Sequence, residues 1–180
     1  MIRLRNCCLL LSGILLAACS DFNSHDAEML LDNAHVYPLI IEVKMFCNSD
    51  KTVEDVIAKN LVKGGYVTAQ REHTKQDVGK PLIYFTNLAQ PFLLSTDDTL
   101  KSFDIQRVKV ADEIFLRVRN VEISASGDKA VVDYATQITN HTPFIALYEQ
   151  DIEGEQRRRT FFTRKDDNWT WDGKIIKMPR

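Results

Sequence analysis

The pattern of apolar and polar positions divides the chain into a helical first part and a strand-rich second part. Residues 28–36 show a weak helical period, and residues 52–61 show a clear one with an apolar stripe on one face. Thr52 and Asp55 approximate a capping box at the start of the second helix, and a pair of glycines follows its end. Residues 39–47 fit a strand or a helix, because a run this short does not separate the two periods.

Beyond the second helix the pattern changes to the alternation that is typical of β-strands. Residues 66–73 and 81–86 flank a polar turn and predict a long hairpin. The C-terminal part predicts an antiparallel meander, with a one-residue shift at Arg119-Asn120 that is typical of a β-bulge. The strands of this meander are predicted at residues 114–123, 130–138, 157–165 and 169–176.

These elements predict an α+β fold class, with N-terminal helices and a β-hairpin followed by a C-terminal antiparallel β-meander. We expect a helix-hairpin region at residues 28–100 and an antiparallel sheet region at residues 101–180. The chain length suits one domain or two small ones. In outline the meander resembles the curved sheet of cystatin-like or NTF2-like domains, and that fold carries both enzymes and binding modules.

The first eighteen residues predict a targeting signal and no part of the fold. Arg3 and Arg5 give a basic start, and residues 7–18 are apolar apart from Ser12. This run of about twelve residues is too short to span a bilayer, which needs roughly twenty, but it suits a secretory signal peptide. The alternative is a buried N-terminal helix, although a basic start and small residues at the end of the run favour the signal peptide.

The end of this leader resembles the lipobox of bacterial lipoproteins, in which an aliphatic residue and two small residues precede a cysteine. Here the motif is Leu16-Ala17-Ala18-Cys19. The resemblance implies cleavage of residues 1–18 and a diacylglyceryl group on the thiol of Cys19, with further acylation of the new amine. Two or more acyl chains give stable anchoring, whereas one chain is marginal. Residues 19–27 are then expected to form a lipidated polar tether.

Ser20 follows the lipidated position, and in this family a serine there permits export to the outer membrane. We therefore expect a protein that is anchored in the outer membrane and faces the periplasm, with the inner membrane or the cell surface as alternatives. Removal of the leader leaves 21 of the 23 basic residues against 25 acidic ones. A mature chain with a net charge near −4 lacks the basic footprint of a nucleic-acid-binding protein.

Cys47 is the one cysteine of the sequence beyond Cys19, so the mature chain has no pair of cysteines for an internal disulfide. Its neighbours Met45 and Phe46 favour a buried, inert thiol, although an odd cysteine can also pair with another chain.

Candidate binding residues lie near the C-terminus. Arg157 and Arg159 share one face of a predicted strand, whereas Arg158 points to the other face. An acidic loop precedes this strand, so local charge pairing is the expected arrangement, with contact to a protein or an anionic glycan as the alternative. Trp169 and Trp171 are expected mainly in the core together with two phenylalanines, although one aromatic side chain can anchor an interface. The candidate binding residues are Arg157, Arg159, Trp169 and Trp171.

Other patterns give no support for a catalytic site, a metal site or a cofactor. His73 and His141 lack a metal-ligand spacing, and nothing local supports pairing of Cys47 with His73. The acidic turn 166–172 alternates like a calcium loop but carries Trp171 where an EF-hand requires glycine.

We therefore expect a non-enzymatic envelope lipoprotein that binds another protein as an accessory or scaffold. Its expected partners are the membrane, through the lipid on Cys19, and an envelope protein, with no nucleic acid. One alternative is a small-molecule or glycan binder with a cavity under the curved sheet. Another is an enzyme on a cystatin-like sheet.

Overall fold

The computed structural model describes residues 22–179. The predicted lipobox lies outside these residues. The helices are α1 (Ser24–Asn33), α2 (Asp50–Ala58) and α3 (Asp98–Lys101), and short 3-10 segments occur at Gln90–Phe92 and Pro143–Leu147. The strands are β1 (Leu39–Phe46), β2 (Val67–Ala69), β3 (Ile83–Phe85), β4 (Ile105–Ile123), β5 (Lys129–Thr139), β6 (Glu155–Lys165) and β7 (Asn168–Lys177).

Five of the strands form one antiparallel sheet in the order β1-β4-β5-β6-β7, and β2 pairs with β3 in a separate hairpin. The fold is therefore α+β, with helices first and a C-terminal meander, as predicted. The predicted bulge in β4 is also confirmed, because the β4–β5 register shifts between Val118 and Asn120. The strands β2 and β3 are three residues long, shorter than the predicted hairpin arms.

The ambiguous run 39–47 forms a strand, since β1 pairs with the first half of β4 from Leu39–Glu113 to Phe46–Ile105. The second half of β4 pairs with β5. The predicted region boundary at residue 100 therefore does not divide the sheet, because β1 from the first region joins β4 from the second.

Helix α1 begins four residues earlier than predicted. The side chain of Asn23 accepts hydrogen bonds from the backbone of His25 and Asp26, and the Asp26 side chain accepts one from the Asn23 backbone. Phe22 is buried ahead of this cap. The predicted tether at 19–27 is thus corrected at residues 24–27, which are helical and begin with the capping box of Asn23 and Asp26, while residues 19–21 lie outside the described residues.

The start of α2 is also corrected. The predicted capping box assigned the cap to Thr52, whereas Ser49 is the cap and its hydroxyl accepts a hydrogen bond from the Thr52 backbone. The helix ends before Asn60, whose positive φ of 62° turns the chain.

Two hydrophobic clusters lie on the inner face of the five-stranded sheet. The Phe22 cluster lies under α1 against the second half of β4, and its buried members are Phe22, Ala27, Leu31, Val36, Ala130, Val132, Tyr134 and Phe162. The Phe144 cluster lies under α2 against the first half of β4, and its buried members are Met45, Cys47, Val53, Val56, Leu61, Val67, Leu82, Ile83, Ala89, Val108, Val110, Ala111, Ile138 and Phe144.

Candidate functional site

Strand β1 is an edge of the five-stranded sheet, and a groove of about 490 Å³ runs along it. One wall of the groove is residues 42–46 of β1. The other walls are the start of α2 and the segment 147–150. An edge strand presents unpaired backbone N–H and C=O groups, which can pair with a strand from another chain. The groove therefore combines space with backbone hydrogen-bonding capacity.

The side chains of β1 alternate between the two faces of the sheet. The outward-facing Ile40 and Phe46 are 54% and 51% exposed, and the charged side chains of Glu42 and Lys44 lie between them. The inward-facing residues end at Met45, which is buried in the Phe144 cluster. The outward face of β1 thus carries two exposed apolar side chains and two opposite charges, in a row.

Charges along the groove are mostly paired within the domain. The guanidinium of Arg107 donates from Nε to Glu42 Oε1 at 2.9 Å and from Nη2 to Glu42 Oε2 at 2.5 Å. Lys51 donates to Asp55 at 2.8 Å, and this hydrogen bond raises the pKa of Lys51. The side chain of Lys44 is exposed and has no hydrogen bond or ion pair within residues 22–179. It is the charge on β1 that is available to a partner.

The candidate binding residues from the sequence do not lie together. Arg157 and Arg159 lie on the outer face of the sheet, where Arg159 Nε donates to Asp133 at 2.6 Å. Trp169 and Trp171 lie on the inner face beside the Phe22 cluster. The ring of Trp169 stacks on Phe22 at 4.6 Å, and Trp171 Nε1 donates to Thr160 at 2.6 Å. The structure thus divides these four residues between a solvated face and a packed one.

Charge pairing in β6 also differs from the expected local arrangement. Arg159 pairs with Asp133 on the neighbouring β5 and Arg158 pairs with Glu113 on β4, while Glu155 pairs with Arg117 and Arg119 of β4. Arg159 and Asp133 are directly opposed on adjacent strands, where side chains lie only about 5 Å apart, whereas the other pairs reach across β5 from β6 to β4.

A buried ionic cluster, which sequence reasoning missed, lies between the two hydrophobic clusters. Arg158 donates from Nε to Glu113 Oε1 at 2.8 Å and from Nη2 to Oε2 at 2.9 Å, and Thr136 donates a further hydrogen bond to Glu113. The side chains of Arg158 and Glu113 are 8% and 5% exposed. The signal for this cluster was the alternation of β6, which places Arg158 on the inner face where an unpaired charge is very costly.

Two tyrosines extend this cluster. The hydroxyl of Tyr37 donates to the hydroxyl of Tyr134 at 3.0 Å. Burial raises the pKa of both phenols, that of Tyr134 to about 12. Within residues 22–179, every buried side-chain nitrogen and oxygen has a hydrogen-bond partner. The geometry therefore fits a polar contact between the two hydrophobic clusters in which every buried hydrogen-bonding group has a partner.

Cys47 is buried, as predicted, and its Sγ lies 3.6 Å from the carbonyl oxygen of Met45. Burial is the main cause that raises the pKa of the thiol to about 11, and the charge of Asp104 adds to it. His73 is exposed and bonds the carbonyl oxygen of Lys80. The two side chains thus bond to different groups, with Cys47 packed in the interior and His73 on the surface.

The acidic turn between β6 and β7 is a hairpin connection in which Asp166 and Asp167 have φ values of 47° and 64°. In the part of the chain from 22 to 179, no group of three or more His, Cys, Asp or Glu side chains is arranged to hold a metal ion.

Comparison of the chain with protein-family models, with curated proteins and with solved structures gave no match. Among the helices of residues 22–179, none is long and apolar enough to cross a membrane. The geometry of the β1 groove is therefore the main basis for a functional proposal.

Proposed function

We propose that this chain is a lipid-anchored envelope protein that faces the periplasm and acts as a non-enzymatic accessory or scaffold by binding a protein strand along β1. The observation that carries the proposal is the groove of about 490 Å³ beside an edge strand. In strand addition, backbone hydrogen bonds to the edge give affinity, and side-chain pockets along the groove give specificity.

The point of attachment leaves the groove free. Cys19 and Phe22 are three residues apart, which an extended chain covers in about 10 Å. Phe22 packs beside Trp169, at the hairpin end of β6 and β7. Strand β1 pairs with the opposite half of β4. An anchor on Cys19 would therefore enter at the other end of the sheet from the groove.

The shape of the groove favours a protein over a small molecule. Small-molecule sites enclose most of the ligand surface, whereas this groove is only partly enclosed, by residues 42–46, the start of α2 and the segment 147–150. Its walls combine the apolar Met45 and Phe46 with the charged Lys44 and Lys51. The buried ionic cluster lies between the packing clusters and has all its polar atoms bonded, which supports a role in stability.

The proposal is tested by placing a photoreactive amino acid at Lys44 in the full-length chain, expressed in Gram-negative cells. The matched control position is Gln137, an exposed side chain on the outer face of β5. We expect a single protein adduct of defined mass from position 44 and none from position 137. The absence of an adduct from position 44, or equal labelling from both positions, would contradict binding along β1.

The anchor is tested in the same experiment with Cys19→Ala. We expect this variant to lose the membrane association of the chain and most of the adduct, since anchoring concentrates the chain beside its partner. If the variant stays with the membrane fraction, the lipid anchor on Cys19 is wrong, whatever the result at position 44.

A further inference from the structure

The sequence of β1 is complementary to itself in one antiparallel register. When two copies of β1 lie antiparallel with Val43 opposite Val43, Glu42 of each copy lies opposite Lys44 of the other. Opposite charges at directly opposed positions stabilise a strand pair, and like charges destabilise it. The register therefore forms two identical charge pairs around a two-fold axis.

The same register matches the apolar positions. On the outward face, the exposed Ile40 of one copy lies opposite the exposed Phe46 of the other. On the inward face, Ile41 lies opposite Met45, and Val43 meets its own copy. A shift of two residues in either direction places Glu42 or Lys44 opposite its own counterpart, which pairs like charges. The sequence therefore favours the register centred on Val43.

We propose that the protein strand that binds along β1 is β1 of a second copy of this chain, which joins the two sheets across their edges in the register centred on Val43. This inference rests on the proposed function, since it names the occupant of the same groove. The arrangement is isologous, so the same edge is used on both copies and the assembly closes as a dimer.

Within the domain, the charges of β1 are prepared for this contact. Glu42 accepts from Arg107 on its β4 side, so in the dimer its carboxylate would lie between Arg107 of its own chain and Lys44 of the second copy. Lys44 has no partner of its own within residues 22–179 and gains one in the dimer. Pairing of the edges also removes the exposed backbone groups that make an edge strand prone to aggregation.

The two-fold axis also constrains the orientation on a membrane. Antiparallel pairing of β1 places the Phe22 ends of the two copies at opposite ends of the joined sheet, because β1 lies against the other half of β4. With the axis along the membrane normal, both anchors enter the same leaflet and the joined sheet lies along the bilayer surface. Confinement of both copies to that surface raises their effective concentration.

The first test is a charge exchange in the full-length chain, purified in detergent from whole cells and examined by native mass spectrometry. Lys44→Glu places two like-charge pairs in the dimer, and we expect it to weaken self-association about tenfold or more. Glu42→Lys should do the same. An equimolar mixture of the two variants should form a heterodimer, since each Glu then meets a Lys.

The matched control is Lys59→Glu, which makes the same charge change at an exposed position after α2 and should leave self-association unchanged. Because Glu42→Lys removes the ion pair with Arg107, the thermal unfolding of each variant is measured as well. Heterodimer formation from variants that do not self-associate supports the register. Failure of the folded variants to form a heterodimer contradicts it.

The second test measures the register by thiol crosslinking in cells. In a Cys47→Ala background, Val43→Cys should form a disulfide-linked dimer, because the two side chains meet on the axis with Cβ atoms about 5 Å apart. Ile41→Cys is the matched control, since the two copies of Ile41 are four residues out of register, or about 13 Å. Equal crosslinking of the two variants, or none from Val43→Cys, overturns the register.

The photocrosslink at Lys44 separates this inference from the proposed function. An adduct of twice the chain mass that contains peptides of this chain alone supports the second copy. An adduct with a different protein leaves strand binding along β1 in place and refutes the second copy. No adduct from position 44, together with no disulfide from Val43→Cys, refutes both.

Discussion

The two hydrophobic clusters are built from different kinds of chain segments. The Phe22 cluster joins one N-terminal helix to a meander of strands that are consecutive in the sequence, so it is built from two separate parts of the chain. The Phe144 cluster collects residues from β1, α2, the short hairpin, the 3-10 segments and the first half of β4. The first cluster closes the sheet near the predicted anchor, while the second supports the open edge. The comparison separates a region suited to attachment from a region suited to binding.

The largest effect is expected from Phe144→Ala, which should cost roughly 3–5 kcal/mol of unfolding free energy because the side chain is fully buried among three other aromatic rings. The measurement is urea unfolding, with the labelling rate of Cys47 as a local probe of the same cluster. A pKa of about 11 keeps this buried thiol unreactive at neutral pH until the cluster opens. A cost below about 1 kcal/mol would show that the Phe144 cluster is not packed as described.

The buried ionic cluster between the two hydrophobic clusters is tested with Arg158→Met, which leaves Glu113 buried without its cation. We expect a loss of about 3 kcal/mol, at the lower end for a broken buried pair because Thr136 still donates to the carboxylate. The double variant Arg158→Met with Glu113→Gln should recover part of this loss, since no buried charge remains. If the double variant is as unstable as the two single costs added together, the two side chains do not interact.

Phe22→Ala should cost about 2 kcal/mol, less than Phe144→Ala, because Phe22 lies ahead of the cap of α1, outside any helix or strand, where its neighbours can relax into the space. Native-state hydrogen exchange should show early opening of α1, with the amides of α2 unaffected. Simultaneous opening of both helices would indicate that the sheet couples the clusters into one unit.

The smallest effect concerns pH. The hydrogen bond from Arg159 holds the pKa of Asp133 below its usual range. A lowered pKa in the folded state adds stability above the unfolded pKa near 3.9, and this stability is lost as the pH falls through the folded value. Asp133→Asn should therefore remove up to about 1 kcal/mol at pH 7 and progressively less as the pH falls below about 4. Denaturant midpoints across this range provide the measurement, with Asp166→Asn in the exposed turn as the control.

The meander was predictable because its strands are exposed to solvent on one face and packed on the other. Apolar and polar residues therefore alternate along each strand. The start of α1 was missed because its cap, Asn23 with Asp26, has the composition of a linker. The sequence pattern of β1 did not decide between a strand and a helix, because eight residues are too few to separate the two periods. The pairing of β1 with β4 also depends on residues more than fifty positions away.

The candidate site depends on sheet order, which local patterns do not encode. Nothing near residue 42 indicates that β1 is an edge strand. That position follows from the sheet order, in which β5, β6 and β7 all lie on the opposite side of β4. Arg158 was assigned to the correct face of β6, but its partner Glu113 is 45 residues earlier in the chain. The sequence therefore predicted the orientation of Arg158 but not the ion pair that it forms with Glu113.

The continuity of β4 has a mechanical consequence. A pull between a partner held on β1 and an anchor near Phe22 would pass along β4, because this strand contacts β1 at one end and lies under α1 at the other. Such a load acts along the strands and strains the row of β1–β4 hydrogen bonds in shear, so that they share the force. A pull across the strands would break the same bonds one by one. A load in this direction is thus resisted by all the β1–β4 hydrogen bonds together, so a connection through β4 between the anchor and the partner would hold under tension.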